Sequence, residues 1–399
     1  MTRPIYLDHN ATTPVDPRVL EAMLPFFKEE CGNASSKTHA FGWHAGEAVE
    51  RARAQIGSPL NVSSREVVFT SGATESNNLV INGLLAGPSA DPHGKVTGHV
   101  ITQATEHPAV HDPLKVLEKR GCEVTYLKTD RYGRVSPEDV ESALRESTRL
   151  VTIMAANNEI GTLQPLAEIG AVCQAAGVLF HTDAAQAVGK IPLDLKELGV
   201  DLLSLSGHKL YGPKGVGALI IRRRTPPIRL APMTFGGGQE KGLRPGTLNV
   251  PGIVGLGEAC RVAQEEMPLE MSRLRELRDR LRVALEAALE GLYFNGHSDE
   301  SLSGTLSASF EGVEGPALLV SLTGELAVSS GSACSSGAAD ASHVLSALGV
   351  SEKLALATIR FGLGRSTTVA QVDAAAATVI NAVCQQRQQF AVLGKGARR

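Results

Sequence analysis

Residues 178–186 read V-L-F-H-T-D-A-A-Q, a β-rich run followed by an aspartate, two alanines and a glutamine. The run predicts a buried strand that carries Asp183 to its carboxyl end. Six further β-rich runs lie between residues 66 and 222, separated by helical patterns or turns: VVFT (67–70), HVIT (99–102), EVTYL (123–127), LVTIMAA (150–156), DLLSLS (201–206) and VGALIIR (216–222). This alternation predicts an α/β fold with a mostly parallel, seven-stranded sheet. Ligands of such sheets bind at the carboxyl ends of the strands.

Composition limits the classes of protein to which the chain can belong. With 399 residues, 43% hydrophobic residues and a formal net charge of −3, it has the composition of a globular protein long enough for two domains. The sequence contains no cluster of lysine and arginine that would indicate direct nucleic-acid binding. The expected partner is therefore a small molecule or another protein. The N-terminal residues M-T-R-P-I-Y-L-D do not resemble a signal peptide, and no apolar run approaches the ~18 residues of a membrane span. We therefore expect a cytoplasmic protein without membrane contact.

The pattern changes after about residue 262. Leu274, Leu277, Leu281, Leu285 and Leu289 recur every three or four residues through a charged segment, which predicts one long amphipathic helix. Beyond it we expect a strand at 305–310, a loop that contains a cysteine, and helices at 343–348 and 369–388. The sequence thus predicts a large domain over residues 15–262 and a smaller α+β domain that combines residues 1–14 with 263–399.

The six cysteines are spread along the chain without a C-x-x-C pair or a histidine at metal-ligand spacing, so we expect neither a metal site nor a disulfide framework. Cys173, Cys260 and Cys384 fall in helical patterns and are expected to be buried and inert. Cys334 differs, because it lies in S-S-G-S-A-C-S-S-G (329–337), where small polar residues and glycines indicate a loop.

Two of the predicted strand ends carry features that suit a charged ligand. In F-T-S-G-A-T-E-S-N-N (69–78) a strand ends, Gly72 permits a tight turn, and a helix opens with exposed backbone N–H groups. Such a helix start can hold a phosphate, although the same pattern fits an ordinary N-cap. Asp183 either caps a helix or pairs its carboxylate with a cationic ring nitrogen.

Two more strand ends add an amine and a pair of amides. In L-S-L-S-G-H-K-L-Y-G-P-K-G (203–215) Lys209 is either an exposed turn residue or a partly desolvated amine that can form a Schiff base. N-N-E-I-G (157–161) follows another strand, where buried amides require hydrogen-bond partners. A phosphate site, an acid for a ring nitrogen and an imine-forming lysine together match the needs of pyridoxal phosphate.

The chain resembles a known family, the cysteine desulfurases of the NifS/IscS type, which are class-V-aminotransferase-like, fold-type-I pyridoxal-phosphate enzymes. The resemblance covers nearly the whole sequence. Its motifs, in family order, are Y-L-D-H-N-A-T-T-P (6–14), G-N-A-S-S (32–36), T-S-G-A-T-E-S-N-N (70–78), T-E-H (105–107), N-N-E-I-G (157–161), H-T-D-A-A-Q (181–186), S-G-H-K-L-Y-G-P-K-G (206–215), G-G-G-Q-E (236–240), R-P-G-T-L-N (244–249), S-S-G-S-A-C (329–334) and I-R-F-G-L-G-R (359–365).

The resemblance implies a set of contacts to pyridoxal 5'-phosphate. Lys209 would form the Schiff base, Asp183 would pair with the pyridinium nitrogen, and His107 would stack on the ring and assist proton transfers. The remaining implied cofactor contacts are Gln186 at the ring hydroxyl, Asn158 beside the substrate, and Ala73, Thr74, Ser206, His208 and Thr247 at the phosphate. Thr247 would reach over from the second subunit of a homodimer.

For the substrate, the resemblance implies that Asn33 and Asn158 line the site of L-cysteine and that Arg360 clamps its α-carboxylate. A guanidinium suits this task because its two donors match a carboxylate. Cys334 would attack the substrate sulfur, which leaves L-alanine and a persulfide. The small residues from Cys334 to Ala341 would let the sulfur travel to an acceptor, such as an iron-sulfur scaffold or a tRNA-sulfuration protein.

Two alternatives stay open at this point. A selenocysteine lyase would use the same cofactor site and its own cysteine. A protein that keeps the fold only as a docking platform would belong to another class, although it predicts loss of the lysine, aspartate or cysteine, and all three are present.

Overall fold

The computed structural model describes residues 3–86, 94–330 and 341–396. The strands found there are β1 (Ile5–Tyr6), β2 (Val67–Thr70), β3 (His99–Gln103), β4 (Glu123–Leu127), β5 (Thr148–Thr152), β6 (Leu179–Asp183), β7 (Leu202–Ser206), β8 (Gly217–Ile221), β9 (Leu292–Asn295), β10 (Thr305–Phe310), β11 (Leu326–Ala327) and β12 (Thr358–Gly362). The helices are α1 (Pro17–Met23), α2 (Pro25–Lys28), α3 (Ala40–Gly57), α4 (Ala73–Leu85), α5 (Pro108–Glu118), α6 (Pro137–Ala143), α7 (Leu166–Ala176), α8 (Val250–Ala288), α9 (Gly315–Leu322), α10 (His343–Ala347), α11 (Glu352–Leu356) and α12 (Val369–Gly396).

Seven strands form the central sheet in the order β2-β8-β7-β6-β5-β3-β4. Strands β3 to β7 pair in parallel, whereas β8 runs antiparallel to β2 and β7. All residues of β2, β3 and β7 are buried, as expected when both faces of a sheet are covered. The predicted α/β fold with a mostly parallel, seven-stranded sheet is confirmed, and each β-rich run supplies one strand.

A smaller antiparallel sheet has the order β12-β10-β9. Beside it the N-terminal strand β1 pairs in parallel with β11, so that Ile5 lies opposite Leu326. Leucines of α8 pack with Phe310 and Phe361 in a second hydrophobic cluster, separate from the cluster around the central sheet. The N-terminal residues therefore lie beside strands from the C-terminal third of the chain.

Helix α8 is 39 residues long and connects the two hydrophobic clusters. Val250 and Leu256 pack in the cluster around the central sheet, whereas Leu281 packs in the second cluster. The helix begins well before the predicted amphipathic segment, because proline is tolerated in a first turn and the Asn249 side chain caps that turn. The predicted domain boundary at 262–263 falls inside this helix, and the division into two domains stays a prediction. None of the described helices combines the length and apolar character needed to cross a membrane.

Candidate active site

The carboxyl ends of β2, β5, β6 and β7 surround a cavity of about 480 Å³. This volume lies within the range typical of small-molecule sites. Thirteen residues carry a predicted catalytic, cofactor or substrate role. Ten of them line the cavity: Ala73, Thr74, His107, Asn158, Asp183, Gln186, Ser206, His208, Lys209 and Arg360.

Lys209 reaches the cavity from a short 3-10 turn that follows β7. Its Nζ donates hydrogen bonds to the backbone carbonyls of Asn10, at 2.6 Å, and Ala11, at 2.8 Å. The carbonyl of Asn10 also accepts a hydrogen bond from Gln186 Nε2 at 2.8 Å. These carbonyl groups belong to the motif Y-L-D-H-N-A-T-T-P, and no role is predicted for them from the sequence.

The Asp183 side chain is buried at the end of β6 and is held by two hydrogen bonds. Asn77 Nδ2 donates to Oδ2 at 2.6 Å, and the backbone N–H of Ala185 donates to Oδ1 at 2.9 Å. The carboxylate thus binds a backbone N–H two residues ahead, as a cap does, and also lines the cavity. Asn77 was not predicted as a site residue, although it belongs to the quoted T-S-G-A-T-E-S-N-N motif.

The start of α4 faces the cavity through residues 71–74. The N-cap residue is Gly72, which has no side chain to accept a hydrogen bond from the first turn. A Cβ atom at Gly72 would lie 3.4 Å from Ser206 Oγ, so that hydroxyl is close to the helix start. The open N–H groups and the helix dipole favour an anion at this position.

Two histidines of the site have lowered pKa values. Burial lowers the pKa of His107; the negative charge of Asp183 opposes this effect, and the positive charge of Lys209 strengthens it. Burial and the charges of Lys209 and Lys214 lower the pKa of His208 to about 4. Because His107 Nδ1 accepts the backbone N–H of Ala109 at 3.1 Å, the proton of its neutral ring lies on Nε2.

Arg360 enters the cavity from β12, a strand that the sequence analysis did not predict. The residue is only 1% exposed. Its Nη1 donates to the backbone carbonyl of Asn158 at 3.1 Å, and its Nη2 donates to Asp8 Oδ1 at 2.8 Å. Nε is buried and has no partner in the described part of the chain, so the guanidinium retains donors for a ligand.

Two of the predicted site residues that the structure describes do not line the cavity. Asn33 is exposed and its Oδ1 accepts the backbone N–H of Ser35 at 2.9 Å, and Thr247 is exposed as well. Neither is among the described residues that line the cavity of this chain. Cys334 lies outside the described residues.

The cysteines predicted to be inert differ in burial. Cys173 and Cys260 are buried, as predicted, and burial raises the pKa of each thiol to about 12. Cys384 is only partly buried, because it packs at the margin of the second hydrophobic cluster on α12. Cys31 is exposed.

Comparison with known proteins identifies the family. The aminotransferase class-V family matches residues 5–375. The curated protein "Cysteine desulfurase IscS" of Anaeromyxobacter dehalogenans is 53% identical over 373 residues, which cover 94% of this chain and 91% of that protein.

Solved structures agree with this assignment. A structure described as a NifS-like protein superimposes with a TM-score of 0.86 at 38% identity and covers 95% of this chain and 98% of its own. The structure of SspA in complex with cysteine has a TM-score of 0.79 at 39% identity and covers 90% and 98% of the two chains. These matches do not favour a selenocysteine lyase or a docking platform. The chain belongs to the aminotransferase class-V family and, within it, to the cysteine desulfurases of the NifS/IscS type.

Proposed function

We propose that the cavity at the strand ends is where this pyridoxal-phosphate-dependent cysteine desulfurase binds its cofactor and L-cysteine. One observation carries the proposal: the Lys209 amine, the Asp183 carboxylate and the open start of α4 line the same cavity. These are the groups that an aldehyde, a ring nitrogen and a phosphate require.

The residues present fit pyridoxal 5'-phosphate. Gly72 leaves room at the start of α4, and Ser206 and His208 offer further donors for a phosphate there. The two hydrogen bonds to Asp183 fix its carboxylate, so that it would meet a ring nitrogen without reorganisation. Gln186 would donate to the ring hydroxyl. When bound, the cofactor supplies an electron sink for the carbon that carries the substrate amine.

The residues around the cofactor would handle the protons. Lys209 would hold the cofactor covalently and, once substrate displaces it, carry a proton at Nζ, where the carbonyls of Asn10 and Ala11 stabilise an ammonium. His107 would contribute a proton at Nε2 and a flat surface against the ring. Its lowered pKa keeps the imidazole neutral near pH 7, and a neutral ring is required for a group that both donates and accepts protons.

Two further residues that line the cavity, Asn158 and Arg360, would contact the substrate. Arg360 would bind the α-carboxylate of L-cysteine, while Asn158 and Asn33 would border the substrate. The Cys334 thiolate would attack the substrate sulfur, so that an S–S bond forms, the carbon–sulfur bond breaks and L-alanine leaves. The persulfide on Cys334 would then pass its terminal sulfur to an acceptor protein.

The assembly and partners are also part of the proposal. A homodimer would bring Thr247 of a second copy to the phosphate, which agrees with the exposure of Thr247 and with its absence from the described residues that line the cavity of its own chain. An iron-sulfur scaffold or a tRNA-sulfuration protein would accept the sulfur in the cytoplasm. The two hydrophobic clusters would form the cores of the two predicted domains.

Mass spectrometry of the intact holoenzyme after addition of L-cysteine tests the reaction. We expect the mass of one added sulfur atom, located on Cys334 by peptide mapping and removed by a thiol reductant. Cys334→Ala should abolish both the added sulfur and L-alanine release, whereas Cys31→Ala, which changes an exposed thiol, should preserve both. L-alanine release by Cys334→Ala at the rate of the unchanged enzyme would refute the proposed nucleophile.

A further inference from the structure

The N-terminal segment Asp8–Thr13 contacts several predicted site residues, although no role has been assigned to it. Its carbonyl groups at Asn10 and Ala11 accept hydrogen bonds from Lys209, and Thr12 Oγ lies 3.2 Å from His208 Nδ1. At the other end of the segment, Asp8 pairs with Arg360. Asp8 is the one charged side chain of this segment.

The Asp8–Arg360 pair leaves one edge of the guanidinium available. Asp8 Oδ1 accepts from Nη2 at 2.8 Å, and the carbonyl of Asn158 accepts from Nη1 at 3.1 Å. Nε is buried and has no partner among the described residues, and Arg360 is one of the residues that line the cavity. Because a guanidinium is planar and rigid, anchoring two of its nitrogens fixes the direction of its remaining N–H groups.

Asp8 is itself held firmly relative to Arg360. The backbone N–H of Gly362 donates to the Leu7 carbonyl at 2.7 Å, and its carbonyl accepts from His9 N at 3.0 Å. A Cβ at position 362 would lie 2.8 Å from Asn10 N, so only glycine permits this approach. Two backbone hydrogen bonds, one on each side of Asp8, therefore join this part of the segment to Gly362. Gly362 lies on β12, two residues after Arg360.

We propose that Asp8 is a positioning residue for the substrate carboxylate: it holds the Nη2 edge of Arg360 so that the remaining N–H groups face the cavity. This inference rests on the proposed role of Arg360. Asp8 could also weaken substrate binding, because its negative charge repels a carboxylate bound to the same guanidinium. If repulsion dominated, removing Asp8 would tighten carboxylate binding.

Calorimetry on the holoenzyme separates these effects with two ligands that differ only in the carboxylate, L-alanine and ethylamine. We expect the unchanged enzyme to prefer L-alanine by about 10- to 100-fold, the range of a charge-assisted hydrogen bond. Asp8→Ala should reduce this preference about tenfold, with the affinity for ethylamine unchanged. Asp8→Asn, which keeps an oxygen acceptor, should stay within about threefold of the unchanged enzyme.

Asp8→Glu keeps the charge and moves the carboxylate by one methylene, so it should also lose preference and provides a test if Asp8→Ala does not fold. The control is Asp373→Ala, which removes the exposed partner of Arg280 and should leave the preference intact. Retained or tighter L-alanine binding in both Asp8→Ala and Asp8→Glu would overturn the inference.

Arg360→Lys distinguishes this failure from failure of the proposed function. If Arg360→Lys keeps the preference for L-alanine, Arg360 is not the carboxylate clamp, and the proposed substrate contact is wrong. If Arg360→Lys loses the preference while both Asp8 variants keep it, Arg360 binds the carboxylate without help from Asp8, and only the present inference is wrong.

Discussion

Replacement of Glu106 by glutamine should remove a pH-dependent loss of stability. Glu106 is fully buried; its Oε1 accepts hydrogen bonds from Gln103 Nε2 at 3.0 Å and Met154 N at 2.5 Å, and Oε2 has no partner among the residues described. Burial, together with the negative charge of Asp183, raises the pKa of Glu106 from 4.5 to about 8. The folded protein therefore keeps a proton that the unfolded chain releases.

The sign and size of the effect follow from this difference. Between about pH 4.5 and pH 8 the unfolded chain binds fewer protons, so the free energy of unfolding falls as the pH rises. At about 1.36 kcal/mol for each pH unit, the full difference corresponds to about 5 kcal/mol, and water entry on ionisation reduces it towards about 2 kcal/mol. Glu106→Gln keeps the Oε1 acceptor and cannot ionise, so it should not show this loss.

Urea unfolding of both proteins at about pH 5, 7 and 9 measures the effect. The difference in unfolding free energy between Glu106→Gln and the unchanged protein should grow in favour of the variant by roughly 2–5 kcal/mol from the lowest to the highest pH. Glu21→Gln, at an exposed position, is the control and should show no such growth. Parallel pH dependence of Glu106→Gln and the unchanged protein would show that Glu106 is already ionised in the folded state.

Three further substitutions test buried contacts of the fold. Glu240→Ala removes the buried carboxylate that pairs with Arg53 and should lower the unfolding free energy by about 3–5 kcal/mol in denaturant titrations; a loss below about 1 kcal/mol would contradict the reasoning. Gly217→Ala would place a Cβ 2.6 Å from the Cα of Gly72, the N-cap residue of α4 at the proposed phosphate site. The variant should therefore lose cofactor absorbance on dialysis, unlike the unchanged enzyme. If both proteins retain the cofactor equally, the result would argue against the phosphate site. Leu281→Ala should lower the unfolding free energy by about 2–5 kcal/mol, because it opens a cavity in the second hydrophobic cluster. A decrease below about 1 kcal/mol would mean that neighbouring side chains fill the cavity.

Features set by local sequence were predictable. A continuous β-rich run such as 178–182 can be buried on both faces only in a covered sheet, and a glycine followed by a helical pattern, as at Gly72, marks a helix start whatever the rest of the chain does. Because the carboxyl ends of the strands meet at one edge of the sheet, Asp183 and Lys209 were expected near each other, and both line the cavity.

Structural features that depend on contacts between residues far apart in the sequence could not be predicted from the local sequence pattern. Arg360 matched a motif, but β12 has only five residues, and its pairing with β10 depends on tertiary packing. Nothing near Asp8 or Asn10 in the sequence indicates their distant partners: Arg360 lies 352 residues from Asp8, and Asn158 lies 148 residues from Asn10. The approach of α8 to α3 is also a tertiary feature: Gly257 permits it, because a Cβ at this position would lie 2.7 Å from Ala52 Cα.

The contact between residues 8–13 and β12 affects how the protein folds during its synthesis. Asp8 is synthesised 352 residues before Arg360, which together with Gly362 holds the start of this segment. The strands of the central sheet can pair long before that moment, since domains fold as units during translation. The part of the cavity wall that Arg360 supplies is therefore completed only after β12 has been synthesised, and a ribosome-bound chain truncated before residue 358 should lack the proposed contact to the substrate carboxylate.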